Sequence, residues 1–143
     1  MQAAIVIRPC SRREIPDLLA LWRESARATH TDSPEGVAPL FDGRAADVLV
    51  AETDGRIVGG VIAAFDGWRG NVYRLAVHPR YRLRGIATAL VNEAERYLRR
   101  RGAKRLAAVV DGASLEAQDF WDAMAARHGW KVTHPGARYA KTV

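Results

Sequence analysis

The stretch VHPRYRLRGIATAL, which runs from Val77 to Leu90, decides the fold. An apolar run at Val72–His78 leads into it and predicts a strand, because β-branched residues bounded by turn residues favour extended backbone. The residues after Pro79 predict a long amphipathic helix that ends at Gly102, since apolar side chains recur there at a spacing of four. The residues of this apolar face are Ile86, Leu90, Ala94 and Leu98.

The junction between this strand and this helix predicts an anion site. A helix N-terminus presents free backbone N–H groups and the positive end of the helix dipole to a single point. Gly85 and the small Ala87 let a ligand approach those amides closely. The loop also carries forked donors for phosphate oxygens, on Arg80, Arg82 and Arg84. The alternative is an ordinary basic helix start that binds no ligand.

The rest of the chain predicts a mixed α/β domain. Asp54 and Gly55 join two β-rich runs as a tight hairpin, because this dipeptide readily adopts positive φ angles. Ser11 and Glu14 have the spacing of a capping box at the start of the first helix. The remaining predicted strands are Ala4–Arg8, Val48–Thr53, Arg56–Ala64, Leu106–Val110, Trp130–Thr133 and Arg138–Thr142. The remaining predicted segments are helices at Ser11–Ala28 and Leu115–Arg127 and a loop at Thr29–Asp42, with one helical turn at Phe41–Ala46.

Length and composition limit the classes of function. A chain of 143 residues with 48% hydrophobic residues is expected to form one domain, residues 1–143. No apolar run is long enough to span a bilayer, and residues 1–13 lack the apolar core of a secretory signal, so we expect a cytoplasmic protein without membrane contact. Cys10 alone cannot form an intrachain disulfide. The net charge of +6 indicates an anionic partner without choosing among nucleic acid, an anionic surface and a phosphorylated small molecule.

The segment from Val77 to Leu90 resembles the acetyl-CoA-binding signature of the GNAT family of N-acetyltransferases, whose core reads R/Q-x-x-G-x-G/A. The core residues here are Arg82, Gly85 and Ala87. The predicted element order is similar to that of the family along nearly the whole chain. The segment FDGWRG at 65–70 further resembles bacterial GNAT proteins of the YpeA type.

The resemblance implies a single GNAT fold of the α/β class, with a mixed, mostly antiparallel sheet of six to seven strands, splayed between strands 4 and 5 and flanked by about four helices. It also implies acetyl-CoA as co-substrate, with no metal. The amides of Leu83–Thr88 would hold the CoA pyrophosphate, and the edge of Leu75–Val77 would bind the pantetheine. An N–H near Ala76 or Val77 would stabilise the developing oxyanion. The implied cofactor-binding residues are Leu75, Ala76, Val77, Arg82, Leu83, Arg84, Gly85, Ile86, Ala87, Thr88, Ser114 and Trp121.

Acetyl transfer to an amine needs a base for the acceptor and benefits from an acid for the CoA thiolate. Many relatives carry N-x-x-A-x-x-x-Tyr, in which the Asn contacts CoA and the Tyr is that acid. Ser114 and Trp121 stand at these two positions. Trp has no acidic proton near neutral pH, so a different acid, a water or direct thiolate departure has to be considered. The candidate bases are Tyr73, Asp66 and Glu52, with a water relay as the alternative.

The acceptor is expected to bind between the first helix, the loop at Thr29–Asp42 and the turn at Asp66–Gly70. The candidate residues there are Trp22, Phe41, Trp68 and Arg69. This mixture of aromatic and Arg side chains suits an amine that has an apolar part and a carboxylate. The histidines have no spacing typical of a metal site, so no metal is expected.

The leading hypothesis is an acetyl-CoA-dependent N-acetyltransferase that acts on a primary amine of a small molecule or of a peptide or protein N-terminus, by direct attack in a ternary complex. One alternative is a nucleic-acid-binding module on the basic surface of the long helix, formed by Arg96, Arg99, Arg100, Arg101, Lys104 and Arg105. A solvated helix end explains these cations better, so no nucleic acid is expected. The other alternative is a CoA-binding regulator without catalysis. The oligomeric state is open, with a homodimer among the options.

Overall fold

The structure is a computed structural model that describes residues 3–25, 29, 31–108, 110, 115–132 and 140–141. The chain divides into two compact units, residues 1–109 and residues 110–143. The first unit contains the sheet and the long helix, and the second contains the last helix. In the described part of the chain, no helix has both the length and the apolar character needed to cross a membrane.

The described residues form five strands and five helices, joined by two short 3-10 turns. The strands are β1 (Val6–Pro9), β2 (Ala46–Thr53), β3 (Arg56–Phe65), β4 (Gly70–Val77) and β5 (Leu106–Ala108). The helices are α1 (Ile15–Ser25), α2 (Pro34–Val37), α3 (Pro39–Asp42), α4 (Ile86–Arg101) and α5 (Leu115–Arg127). The 3-10 turns are Arg12–Glu14 and Pro79–Tyr81.

The sheet has the strand order β1-β2-β3-β4-β5. All neighbouring strands are antiparallel except β4 and β5, which are parallel. This arrangement confirms the predicted mixed, mostly antiparallel sheet. The sheet has five strands among the described residues, whereas six to seven were expected. The two missing strands were predicted near the C-terminus. Trp130, Lys131 and Val132 are described without strand structure there, and 133–139 lie outside the described residues.

Two neighbouring glycines of β3 show that α1 and α4 cover opposite faces of the sheet. Successive residues of a strand point to opposite faces. A Cβ at Gly59 would lie 3.0 Å from Ile86 of α4, while a Cβ at Gly60 would lie 3.4 Å from Leu18 of α1. The sheet is therefore the middle layer of an α/β/α arrangement within the first unit.

Apolar side chains fill both layers. On the α4 side, the predicted spacing of four is confirmed, because the buried residues of that helix are Ile86, Leu90, Val91, Ala94 and Leu98. On the other side, Trp22 and Leu18 of α1 pack in one buried cluster with Val50, Ile62 and Ala76 of the sheet. Burial of this area supplies the main driving force for folding.

The element boundaries correct several expectations. The first helix is described only to Ser25, and residues 26–28 lie outside the described part of the chain. The expected helical turn at Phe41–Ala46 is confirmed only in its first two residues. Helix α2 precedes it, α3 includes Phe41 and Asp42 and ends there, and Ala46 already begins β2. Each of these short helices has a proline in its first turn, where the missing N–H costs nothing.

An ion-pair cluster links β1 to the 3-10 turn before α1 and to β2. Arg8 donates two hydrogen bonds to the Glu14 carboxylate, at 2.8 and 2.7 Å, and two to Oε1 of Glu52, at 3.2 and 2.6 Å. The N–H of Ser11 donates to Glu14 at 3.0 Å, the reciprocal half of the predicted capping box. The bidentate bond from Arg8 is the main reason that the pKa of Glu14 falls to about 2.

Candidate active site

The loop between β4 and α4 forms a cradle of backbone amides. Gly85 adopts a left-handed conformation, with φ of 78°, directly before the first helical residue. The helix hydrogen bonds begin with the Ala89 N–H, which donates to the Gly85 carbonyl at 3.0 Å. The three N–H groups before Ala89 therefore have no partner within the helix. A Cβ at Gly85 would have no atom within 4 Å, so the space beside the start of the helix is open at this position.

Arginines line the approach to this cradle. The Arg84 guanidinium lies over the Tyr81 ring, 5.0 Å from its centroid. Arg82 donates to the carbonyl of Val77 through Nε at 3.4 Å. Leu83 has φ of 62° and a fully exposed side chain, which keeps its bulk away from the core. Open amides, a helix dipole and guanidinium groups suit the phosphates of CoA, so the residues present fit the implied co-substrate.

The His78 side chain contacts both the start of the β4–α4 loop and helix α1. Its Nδ1 accepts a hydrogen bond from the Arg80 N–H at 3.2 Å, and its Nε2 lies 2.5 Å from a carboxylate oxygen of Glu24 on α1. The backbone N–H of His78 also donates to the Val58 carbonyl of β3 at 2.8 Å. The ring thus ties α1 to the start of the loop, a contact with Glu24 that the sequence pattern did not reveal.

Strand β4 leaves part of its outer edge open. Its pairing with β5 covers only Gly70–Val72, opposite Leu106–Ala108. The described residues show no pairing between β5 and Tyr73–Val77, so the predicted splay between strands 4 and 5 is confirmed. Parallel strands that separate in this way expose peptide groups to a ligand that can add as a strand.

A bulge in β4 lies at the point where the two strands part. Tyr73 pairs with Ile62 and Ala76 pairs with Gly60, so Arg74 and Leu75 together oppose one residue of β3. Arg74 takes a left-handed conformation there, with φ of 57°. An extra residue with this conformation is the mark of a β-bulge, which bends the strand and redirects its peptide groups.

The direction of the peptide groups past the bulge follows from one hydrogen bond. The N–H of His78 points to β3, where it meets the Val58 carbonyl. Because peptide groups alternate along a strand, Ala76 also faces β3, whereas Leu75 and Val77 face the open edge. Arg82 reaches the Val77 carbonyl on that edge. Two of the three residues predicted to bind pantetheine thus present backbone groups outward.

The three predicted bases do not lie together. Tyr73 directly precedes the bulge with 42% of its surface exposed, and burial of the remainder raises its pKa, so the phenol keeps its proton at neutral pH. Asp66 lies at the β3–β4 turn. The pKa of Asp66 is lowered because Oδ1 accepts hydrogen bonds from the N–H groups of Arg69 and Trp68, at 2.7 and 2.8 Å. Glu52 lies near the other end of β3, in the cluster with Arg8.

The predicted acceptor residues fall into two groups. Trp68 is 71% exposed at the β3–β4 turn, with the Arg69 guanidinium 4.2 Å above its ring centroid. Trp22 is only 3% exposed and belongs to the core on the α1 side, and Phe41 packs partly buried against the same core. Trp68 and Arg69 are thus exposed, while Trp22 is buried beneath the Arg74 guanidinium.

Sequence reasoning missed Arg74 and Asp32. The Arg74 guanidinium lies 4.4 Å from the centroid of the Trp22 ring, and its Nη2 pairs with Oδ2 of Asp32. Both charged side chains are largely buried, with 17% and 16% of their surface exposed. The available signal was an arginine between the apolar residues of β4.

In the second unit, Trp121 belongs to an aromatic cluster. Its ring lies edge-on to Phe120, with centroids 5.3 Å apart, and to Trp130, with centroids 4.8 Å apart. Ser114, which stands at the position of the CoA-contacting Asn in many relatives, lies outside the described residues. The role of Trp121 along pantetheine stays a prediction.

Acidic partners neutralise much of the basic surface on α4. Arg96 pairs with Glu93, and Arg99 lies 3.5 Å from Glu95 on the same helix. Arg101 donates to Asp47 at 2.8 Å, in contact with β2. These pairs favour the interpretation of this surface as a solvated helix end. Across the described ranges, no group of three or more His, Cys, Asp or Glu side chains could hold a metal ion.

Comparison with known families decides the assignment. The model described as the acetyltransferase (GNAT) family matches residues 15–125. The chain belongs to this family. The match includes Arg82, Gly85 and Ala87, the residues that carried the resemblance. The protein is accordingly an acyltransferase that uses acetyl-CoA as co-substrate.

Solved structures of the same fold cover nearly the whole chain. The aminoglycoside N-acetyltransferase AAC(6')-Iy in complex with CoA has a TM-score of 0.81 at 18% identity, over 100% of this chain and 98% of that one. A ribosomal-protein-alanine N-acetyltransferase from Brucella melitensis biovar Abortus 2308 has a TM-score of 0.75 at 23% identity, over 98% and 99%. A transcriptional regulator from Bacillus halodurans C-125 has a TM-score of 0.79 at 17% identity, over 96% and 100%. At these identities the likeness shows the fold alone, and the finer likeness to YpeA-type proteins stays a prediction.

Proposed function

We propose that this GNAT protein transfers the acetyl group of acetyl-CoA to a primary amine of a small molecule or of a peptide or protein N-terminus, by direct attack in a ternary complex. The observation that carries the proposal is the combination of an open amide cradle at Gly85 with an edge of β4, directly before it, that pairs with no strand among the described residues beyond Val72. The first feature suits phosphates and the second suits an extended chain of amides.

The cradle supplies binding through backbone groups. The N–H groups at the start of α4, within the predicted segment Leu83–Thr88, point at phosphate oxygens, and the helix dipole adds to their attraction. Arg84 and Arg80 offer further charge at the approach, and Arg82 holds the Val77 carbonyl. Because the donors belong to the main chain, binding depends on the left-handed turn at Gly85 and on open space more than on neighbouring side chains.

The open edge of β4 orients the reacting group. Acetyl-CoA supplies an activated acyl group, and the protein has to hold its carbonyl while the amine attacks. The N–H of Leu75 or Val77, which faces the open edge, would donate to that carbonyl and stabilise the oxyanion, whereas the Ala76 peptide group faces β3. Fixed donors of this kind cost no reorganisation during the reaction.

Proton movements involve two different groups in this proposal. Tyr73 keeps its proton at neutral pH and lies directly before the bulge, which suits donation to the leaving thiolate rather than removal of the amine proton. Asp66 is a weak base because two backbone N–H groups stabilise its charge. A water relay is therefore the preferred base, in line with the alternative that the sequence left open.

The acceptor is proposed to bind beside Trp68 and Arg69. The Asp66 carboxylate fixes the turn that carries them, and the stacked guanidinium remains exposed. An apolar amine with a carboxylate matches an aromatic face beside an Arg. The fold neighbours include an aminoglycoside acetyltransferase and a ribosomal-protein-alanine acetyltransferase, so both small amines and peptide N-termini belong in the test.

A second candidate function is a regulator that binds CoA without catalysis. The observation that favours it is Trp121, which stands where many relatives carry the acidic Tyr. A fold neighbour described as a transcriptional regulator is consistent with this alternative. The cytoplasmic location and the homodimer stay predictions.

The test has two stages. Isothermal titration with acetyl-CoA at concentrations up to millimolar should show saturable binding, and its absence would refute both candidates. Mass spectrometry over a panel of aminoglycosides, amino-acid amides and short peptides should then show a mass increase of one acetyl group on at least one amine. Binding without transfer to any panel member would favour the regulator.

A further inference from the structure

Arg74 occupies an unusual backbone position for its residue type. Its φ of 57° lies in the left-handed region, which a side chain with a Cβ rarely adopts. The residue forms the bulge at which β4 parts from β5. Such a conformation persists only where the surrounding structure holds it.

Among the described residues, the Arg74 side chain contacts α1 and the segment that follows it. Its guanidinium stacks on the Trp22 ring of α1 and pairs with Asp32, which follows α1 and precedes α2. Trp22 is itself buried in the core, so it gives the guanidinium a rigid platform. A buried arginine with both a stacking surface and a carboxylate partner loses its freedom to reorient.

Hydrogen bonds from Thr29 fix the Asp32 carboxylate independently of its contact with Arg74. The N–H of Thr29 donates to Oδ2 at 3.2 Å, and the Thr29 hydroxyl donates to Oδ1 at 2.8 Å. Burial opposes ionisation of this carboxyl, but the hydrogen bonds from Thr29 and the charge of Arg74 outweigh it and lower the pKa of Asp32. The carboxylate is therefore charged at neutral pH and oriented toward the bulge.

We propose that Arg74 is a positioning residue, whose contacts with Asp32 and Trp22 hold the β4 bulge so that the peptide groups past it face the open edge. The inference rests on the proposed function, because the amide it positions is the one assigned to the acetyl carbonyl. Arg74 touches neither the phosphates nor the cradle, since its side chain is engaged on the α1 side of the sheet. Its loss should change recognition of the acetyl group and leave recognition of CoA intact.

The experiment compares acetyl-CoA with CoA by isothermal titration. A hydrogen bond from the positioned amide should make the wild type bind acetyl-CoA about three- to tenfold more tightly than CoA. Asp32→Asn and Arg74→Leu should reduce this ratio to about one while the affinity for CoA stays within about twofold. Arg74→Gly should keep part of the preference, because glycine adopts the left-handed conformation without strain.

The matched control is Arg101→Leu, which removes another partly buried Arg–Asp pair, with Asp47, away from β4. It should leave the ratio at the wild-type value, and thermal unfolding would verify that every variant is folded. An unchanged ratio in Asp32→Asn and Arg74→Leu would overturn the inference. So would equal losses in folded Arg74→Gly and Arg74→Leu, or a wild type that binds the two ligands equally. A wild type that binds neither ligand would instead overturn the proposed function.

Discussion

In the proposed reaction, the two ends of β4 would contribute different kinds of group, namely backbone amides at one end and side chains at the other. At the C-terminal end, the strand passes into a cradle of backbone amides around Gly85, where a Cβ would meet no atom within 4 Å. At the N-terminal end, the turn before Gly70 presents side chains, above all the exposed Trp68 with its stacked Arg69. A site made of backbone follows from chain conformation and tolerates sequence change, whereas a site made of side chains changes its ligand with each substitution.

The largest expected effect comes from a bulky side chain in the cradle. Gly85→Leu places carbon atoms in front of the free amides, so the affinity for acetyl-CoA should fall about a hundredfold, or about 2.7 kcal/mol. Isothermal titration measures this loss directly.

The control for the cradle is Gly55→Leu. Gly55 also has a positive φ, of 70°, and open space around its Cβ position, but it lies in the β2–β3 hairpin. Both variants should lose a similar stability of about 1 kcal/mol, because leucine is strained in this conformation. Similar acetyl-CoA affinities for the two variants would show that the cradle does not bind the phosphates.

A moderate effect should appear at the other end of β4. Trp68→Ala removes the exposed ring while it leaves the Asp66 turn intact, so KM for the amine should rise about tenfold with little change in the affinity for acetyl-CoA. Steady-state kinetics with the best amine from the panel measures both values.

Tyr97→Ala is the matched control for Trp68→Ala. Arg100 stacks on Tyr97 at 4.8 Å, which reproduces the same type of contact on the surface of α4. This variant should keep the wild-type KM. If Trp68→Ala also kept it, the acceptor would have to bind elsewhere than at the β3–β4 turn.

A smaller effect, on stability alone, is expected for a substitution in the Arg8 cluster, which lies away from both ends of β4. Glu14→Gln should lower the free energy of unfolding by about 1–2 kcal/mol at pH 7, because the pKa of Glu14 is lowered to about 2 by the bond from Arg8. A lowered pKa in the folded state means that this stabilisation is present above pH 4.5 and disappears as the pH falls toward 2.

Urea unfolding between pH 2.5 and 7 measures this dependence. The two proteins should differ at neutral pH and converge in acid, with acetyl-CoA affinity unchanged at pH 7. A constant difference at all pH values would mean that ionised and protonated Glu14 contribute equally to the free energy of unfolding.

The smallest effect concerns Cys10, which packs partly buried against the core on the α1 side. Burial raises the pKa of its thiol to about 12, so the thiol stays protonated and unreactive at neutral pH. Cys10→Ala should leave transfer unchanged, and alkylation of the native protein at pH 8 should be slower than that of the urea-unfolded chain. Equal alkylation rates would contradict this protected environment.

Much of the fold follows from local sequence signals. The Asp54–Gly55 hairpin has the expected positive φ values, of 53° and 70°, since two adjacent residues suffice to define such a turn. Helix α4 and its buried face follow from a spacing of four, and the cradle follows from the glycine that ends the loop. The position of the short helices after α1 did not follow, because two prolines and a glycine permit several turn structures there.

The acceptor residues were harder to predict. Trp22 and Trp68 are both aromatic residues next to polar ones in the sequence, yet one is 3% exposed and the other 71%. Periodicity places Trp22 on the apolar face of its helix, but it does not say which group lies above the ring. That group is Arg74, which is 52 positions away along the chain and comes close only when the sheet has formed.

The sequence by itself determined the cradle for the phosphates, because glycine conformation and helix N-termini depend on residues that are neighbours along the chain. Only the tertiary structure decided the bulge of β4 and its contact with Asp32, whose partners lie 42 positions apart. Ion pairs and stacking between such distant residues depend on how the elements pack, and no local pattern encodes that packing. The co-substrate could therefore be inferred before the fold was known, while the residues that position the reacting group could not.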